Sequence, residues 1–186
     1  MEGKDSTFEI SVVENENRRE LQISHYPREV AQLCKDVCNF FKEFAKSCDE
    51  FAEEKFDLDS AANFILQSSS PQALKLLYRN LKVPPSRVWI YEYQLIDLQE
   101  MEETFKQHFK ERGLIPFAKN IDGDFLACGK DDHSGGVYEV EEDEEEIVCE
   151  SFATYLEQYR CLLLSNKLEY IEGMGMVQRS EDIKRK

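Results

Sequence analysis

Residues Leu114 to Gly129 read LIPFAKNIDGDFLACG, an apolar approach carrying a proline, an Asp-Gly-Asp step and a second apolar run. Two readings compete for it: a carboxylate pair placed for chemistry, or a hairpin inside a sheet. Pro116 is tolerated at the beginning of a strand or on an edge. Asp122-Gly123 is a strong turn dipeptide, because a tight hairpin needs residues that accept positive φ. Phe125 to Cys128 then supply a return strand. The hairpin accounts for every residue of the stretch, whereas the metal-dependent hydrolase or transferase that Asp122 and Asp124 could serve needs further ligands on neighbouring strands.

Outward from this hairpin the pattern is consistent. Downstream, DDHSGG at 131–136 makes another turn and Val137 to Val140 another strand. The run EEDEEE at 141–146 is expected as a turn or loop before Ile147, Val148 and Cys149. Ser151 caps a last helix with Phe152, Tyr155, Leu156, Tyr159 and Leu163 on one face. LEYI, near the end of the chain, is a possible strand, followed by a Gly-Met-Gly step.

Upstream, Asp97 and Glu100 have capping-box spacing. The helix they open carries Met101, Phe105 and Phe109 at four-residue steps and stops at Gly113. His108 beside that stripe reads as a surface residue. Arg87 to Gln94 is aromatic and β-branched, a single strand with Trp89, Tyr91 and Tyr93 on one face. Ser70-Pro71 is expected to cap a helix whose buried face is Leu74, Leu77, Tyr78 and Leu81, ended by the prolines at 84 and 85. AANFILQ reads as a short helix before it. From Pro27, apolar residues at Val30, Cys34, Val37, Phe41, Phe44, Cys48 and Phe51 form one seam along a long helix. The seam is aromatic rather than rich in Leu and Ile, which favours packing on its own domain over a homodimer through the long helix.

The order of elements gives α+β, an antiparallel sheet of hairpin-linked strands packed by several helices, with an extra long N-terminal helix. Four segments are expected: a polar arm over 1–26 with one short apolar patch, the amphipathic helix over 27–57, the α+β domain over 58–165, and a C-terminal strand and polar tail over 166–186.

Composition narrows the partners. The 186 residues are 41% hydrophobic and 33% charged, enough for a core, and no window approaches the roughly 18 apolar residues of a membrane span. The polar N-terminus lacks the apolar region of a secretory signal, so the cytoplasm, or a host cell's interior, is the expected compartment. The formal net charge of −15 repels phosphate backbones and anionic bilayers and favours a basic protein partner. The six cysteines form no CxxC pair and read as reduced, buried thiols. Cys128 and His133 lack two further ligands for zinc. The acidic run has no central glycine, so it is not a calcium loop, and no nucleophile elbow or phosphate-binding loop is present. No cofactor and no metal are expected.

From about Leu95 to Tyr159 the chain resembles the SMI1/KNR4 (SUKH) superfamily. The resemblance rests on LIDLQEMEETF ahead of the sheet, the Ile-Pro-Phe-Ala segment with its Asp/Gly-rich turn, GGVYEV, the acidic stretch, and ESFATYLEQY. It departs from the family at LKVPPSRV, which holds no glycine where the family has an Asn-Gly-Gly-like turn. The resemblance implies a non-enzymatic protein-binding module, with bacterial relatives that look like immunity proteins against toxins and eukaryotic ones that act in regulation. The leading expectation is therefore toxin neutralisation or control of a basic partner. A scaffold that uses the long helix, for signalling or assembly, stands beside it. Asp122, Asp124, Asp131, Asp132, Glu141, Glu142, Asp143, Glu144 and Glu145 are the expected docking residues, as a negative surface at one end of the sheet; the alternative is a solvated hairpin loop whose charges prevent edge-to-edge aggregation.

Overall fold

The computed structural model describes residues 27–47, 70–130, 135–142 and 144–179. The polar arm, the far end of the aromatic seam at Cys48 and Phe51, AANFILQ, Asp131, Asp132, His133 and Asp143 lie outside the described residues.

The protein is α+β. Helix α1 (Pro27–Ser47) leads to α2 (Gln72–Asn80), a 3-10 turn (Pro85–Arg87), and strands β1 (Trp89–Ile90) and β2 (Tyr93–Leu95). Helix α3 (Leu98–Thr104) runs into a π turn (Phe105–Phe109), followed by β3 (Leu114–Lys119), β4 (Phe125–Gly129), β5 (Val137–Glu141) and β6 (Glu144–Cys149). Helix α4 (Phe152–Leu164) and the hairpin β7 (Leu168–Ile171) to β8 (Gly175–Gln178) complete the order. Strands β1 to β6 form one antiparallel meander in chain order, and β7 pairs only with β8.

Hydrophobic periodicity explains the main layer. On α1 the residues Leu33, Cys34, Val37, Cys38 and Phe41 are buried. They share one cluster with Leu74, Leu77 and Tyr78 of α2, Phe152, Leu156 and Tyr159 of α4, and the sheet residues Ile115, Phe117, Leu126 and Val137. The long helix thus packs on its own chain. Its two buried cysteines sit one turn apart and let α2 approach closely: the Cys34 thiol donates to the Ala73 carbonyl and the Cys38 thiol to that of Leu77, each at 3.5 Å. Burial pushes both thiols up to about 12. Cys128 is also buried, but Cys161 is exposed, because it falls on the outer side of α4, away from the stripe of Tyr155, Leu156 and Tyr159.

Four local expectations change. Ser70 is not the cap of α2; Pro71 holds that position, with no side-chain hydrogen bond, and its fixed φ of −54° leads into the helix. The stretch 87–94 is not one strand but a hairpin: Tyr91, at φ +56°, reverses the chain so that Ile90 pairs with Tyr93. The aromatic stripe of α3 is divided by the π turn. Met101 enters the main cluster, whereas Phe109 enters a second one with Leu114, Ala127 and Val140 on the opposite face of the sheet. Finally, the acidic run is largely strand, with Glu141 in β5 and Glu144 to Glu146 in β6.

Polar anchors fix the layers. The Tyr78 hydroxyl donates to the carbonyls of Ile96 (2.7 Å) and Phe117 (3.1 Å), and the Tyr159 hydroxyl donates to that of Trp89. The predicted caps form: Asp97 accepts from the Glu100 amide (2.8 Å) and Ser151 from that of Thr154 (3.1 Å). At the far edge β8 meets the β1–β2 turn, with the Met176 amide donating to the Tyr91 carbonyl at 2.9 Å. Gly175 makes this approach possible: its φ is +82°, and a Cβ there would lie 2.5 Å from both the Trp89 ring and the Tyr91 carbonyl oxygen.

Candidate functional site

The Asp-Gly-Asp step is a turn built around Asn120. The Asn120 side-chain oxygen accepts from the amides of Asp122 (3.0 Å), Gly123 (2.9 Å) and Asp124 (2.9 Å). Its amide nitrogen donates to the Asp124 carboxylate at 2.8 Å, and Gly123 supplies the left-handed conformation at φ +99°. Asp124 is therefore engaged in holding the bend, while Asp122 is exposed beside Ile121, itself 82% exposed. Among the described residues no three carboxylate, imidazole or thiol groups gather as a metal ion requires.

An antiparallel meander returns alternate turns to the same end, and this arithmetic assembles the acidic surface. Phe125 pairs with Val140, and Gln94 with Lys119. The β1–β2, β3–β4 and β5–β6 turns thus share one end of the sheet. They carry Glu92, Asp122, Asp124, Glu141 and Glu142. Strand β4 ends at Gly129 and β5 begins at Val137, both at the other end of the sheet; Asp131 and Asp132 come between them in sequence. Those two residues are outside the described part.

The β5–β6 hairpin concentrates the charge. Its register sets Glu141 opposite Glu144 and Glu139 opposite Glu146. Opposed residues of an antiparallel pair project from the same face, so four carboxylates share one face of the hairpin. Glu139 is half-buried and accepts the Tyr93 hydroxyl; burial and this carboxylate together push the Tyr93 phenol up. Glu145 and Ile147 project to the other face with Val140 and Tyr138. There Arg112 braces the turn, its guanidinium 3.2 Å from Glu145 and donating to the Glu142 carbonyl at 3.2 Å, while it lies over the Phe109 ring. Glu142 makes the bend at φ +48°.

Of the expected docking residues, the structure places Asp122, Asp124, Glu141, Glu142 and Glu144 at one end of the sheet, while Glu145 belongs to the same hairpin but projects from its other face. Glu92, Glu139 and Glu146 join them, and Tyr93 and Arg112 hold the surface in shape. The sequence signal for the three added glutamates is period-two alternation combined with the shared end of odd-numbered turns; reading the acidic run as a loop concealed it.

Helices covering one face of a curled antiparallel meander, with a charged and braced hairpin at its edge, define a scaffold suited to presenting a surface. The SMI1 / KNR4 family (SUKH-1) model matches residues 39–158, from within α1 to α4. This span is more than half of the chain, and the chain belongs to that family. No curated protein matches it closely enough to count as a relative. Among the described residues no helix is long and apolar enough to cross a membrane.

Proposed function

We propose that this chain is a non-enzymatic protein-binding module that neutralises or controls a basic partner, such as a nucleic-acid-directed toxin, by presenting the acidic end of its sheet. The observation that carries this reading is the face shared by Glu139, Glu141, Glu144 and Glu146. Opposed like charges destabilise a hairpin. On an edge strand such charges also discourage edge-to-edge pairing of copies, and a partner bearing Lys and Arg would relieve the repulsion on docking. Family membership supports a binding role, since fold alone does not supply a partner's identity. A carboxylate array of this kind can occupy the places that phosphates take in a nucleic-acid groove.

The experiment is affinity capture from lysate with the whole chain and with the variant Glu141→Gln, Glu142→Gln, Glu144→Gln, Glu146→Gln, read by mass spectrometry. The reading expects a basic protein retained by the parent chain and lost by the variant. Equal retention by both would set it aside.

A further inference from the structure

Resting on that reading, we infer that β6 receives its partner by strand addition: a short, basic, extended segment pairs with β6 as the next strand of the sheet. β6 is the end strand of the six, and among the described residues nothing takes its outer main-chain groups. The opposite edge differs, because β8 lies against the β1–β2 turn there. In an edge strand every second residue turns its N–H and C=O outward, and these unpaired groups are a template for another chain.

The side chains state which chain fits. Ile147 and Val148 are 57% and 41% exposed, apolar surface on the edge strand next to three glutamates. The register shift between Val137 and Tyr138 leaves Val148 as an extra residue, so the regular edge is Glu144 to Ile147. A strand antiparallel to it would read, from its N-terminus, apolar opposite Ile147, basic opposite Glu146, any residue opposite Glu145, which Arg112 already holds, and basic opposite Glu144. A second copy of this protein does not satisfy that pattern, because edge-to-edge pairing would set glutamates against glutamates. The partner is thus an extended basic segment with Lys or Arg at every second position.

The test titrates the whole chain with a fluorescent, end-blocked peptide, Thr-Val-Lys-Thr-Lys-Val-Thr, and two versions methylated on backbone nitrogen, one at both lysines and the other at both valines. Alternate N–H groups of an added strand face opposite ways, so one methylated peptide should lose roughly tenfold in affinity or more while the other binds as the parent does. Replacing Glu144→Gln and Glu146→Gln should weaken the unmodified peptide and flatten its salt dependence. No binding of the parent peptide, or equal behaviour of the two methylated ones, overturns strand addition. Equal behaviour with charge-dependent binding intact leaves the acidic-surface reading standing, so the two failures are distinguishable. Dimerisation of the free chain through β6, seen in sedimentation, would also overturn it.

Discussion

Glu139 on β5 stands directly opposite Glu146 on β6, and two residue pairs nearer the turn Glu141 stands opposite Glu144. Directly opposed like charges cost stability, and converting one member to a cation replaces repulsion with attraction. Glu146→Lys and Glu144→Lys should therefore each stabilise the fold, by about 0.2 to 1 kcal/mol, at low salt. Urea unfolding midpoints check this, with unchanged m-values. A loss of stability would mean that the hairpin uses its carboxylates structurally rather than holding them out for a partner.

The Asn120 side chain accepts three backbone amides, so Asn120→Ala leaves the turn without its centre and should cost about 2 kcal/mol. Asp122→Asn removes an exposed charge and should fall within about 0.5 kcal/mol of the parent. Thermal melts of the two variants side by side decide. The opposite ranking would return attention to the aspartates.

How much of this was legible beforehand follows from which forces act locally. Asp97 and Ser151 cap helices because capping needs only a short side chain and the next turn, and both were readable. The stripe of Leu74, Leu77, Tyr78 and Leu81 was readable for the same reason. Tyr91 was not: an aromatic residue at positive φ contradicts local propensity and persists because β8 holds its carbonyl and the rings of Tyr155 and Tyr159 pack on its side chain. Asn120 hid behind its more conspicuous neighbours Asp122 and Gly123. The acidic run looks like a loop because glutamate has low strand propensity, and only the pairing of β5 with β6 makes Glu141 and Glu144 to Glu146 strand. The candidate surface is half visible in the sequence: the acidic turns at 122–124 and 141–145 stand out, but Glu92, Glu139 and Glu146 join them only once the register is known.

Tyr78 ties α2 to two carbonyls that are distant in sequence, those of Ile96 and Phe117. Tyr78→Phe keeps the ring and removes the donor to the Ile96 carbonyl, while the Phe117 carbonyl keeps the Ile96 amide. The expected loss is about 1 to 3 kcal/mol in urea unfolding. A near-neutral result would show that this anchor does not hold the helical layer to the sheet.

Cys34 and Cys38 should resist alkylation by iodoacetamide in the folded protein near pH 8, while the exposed Cys161 reacts before them; mass spectrometry reads the order. The same burial links stability to pH. Both thiols are raised from 9.0 to about 12, so the folded state prefers the protonated form. Their contribution is complete below about pH 9 and is lost as pH rises through the interval from about 9 to about 12. The buried phenols of Tyr78 and Tyr159, also pushed up by burial, act in the same direction. Urea midpoints should fall across that interval, and a flat profile would contradict the packing of α1 on α2.

The most direct measurement is the affinity of the captured partner as a function of salt, for the parent chain and for the four-glutamine variant of the β5–β6 hairpin. The account predicts tight binding that weakens as salt screens the surface, and a variant that binds less tightly with a shallower salt dependence. Identical affinities and identical salt dependences for the two proteins would contradict it.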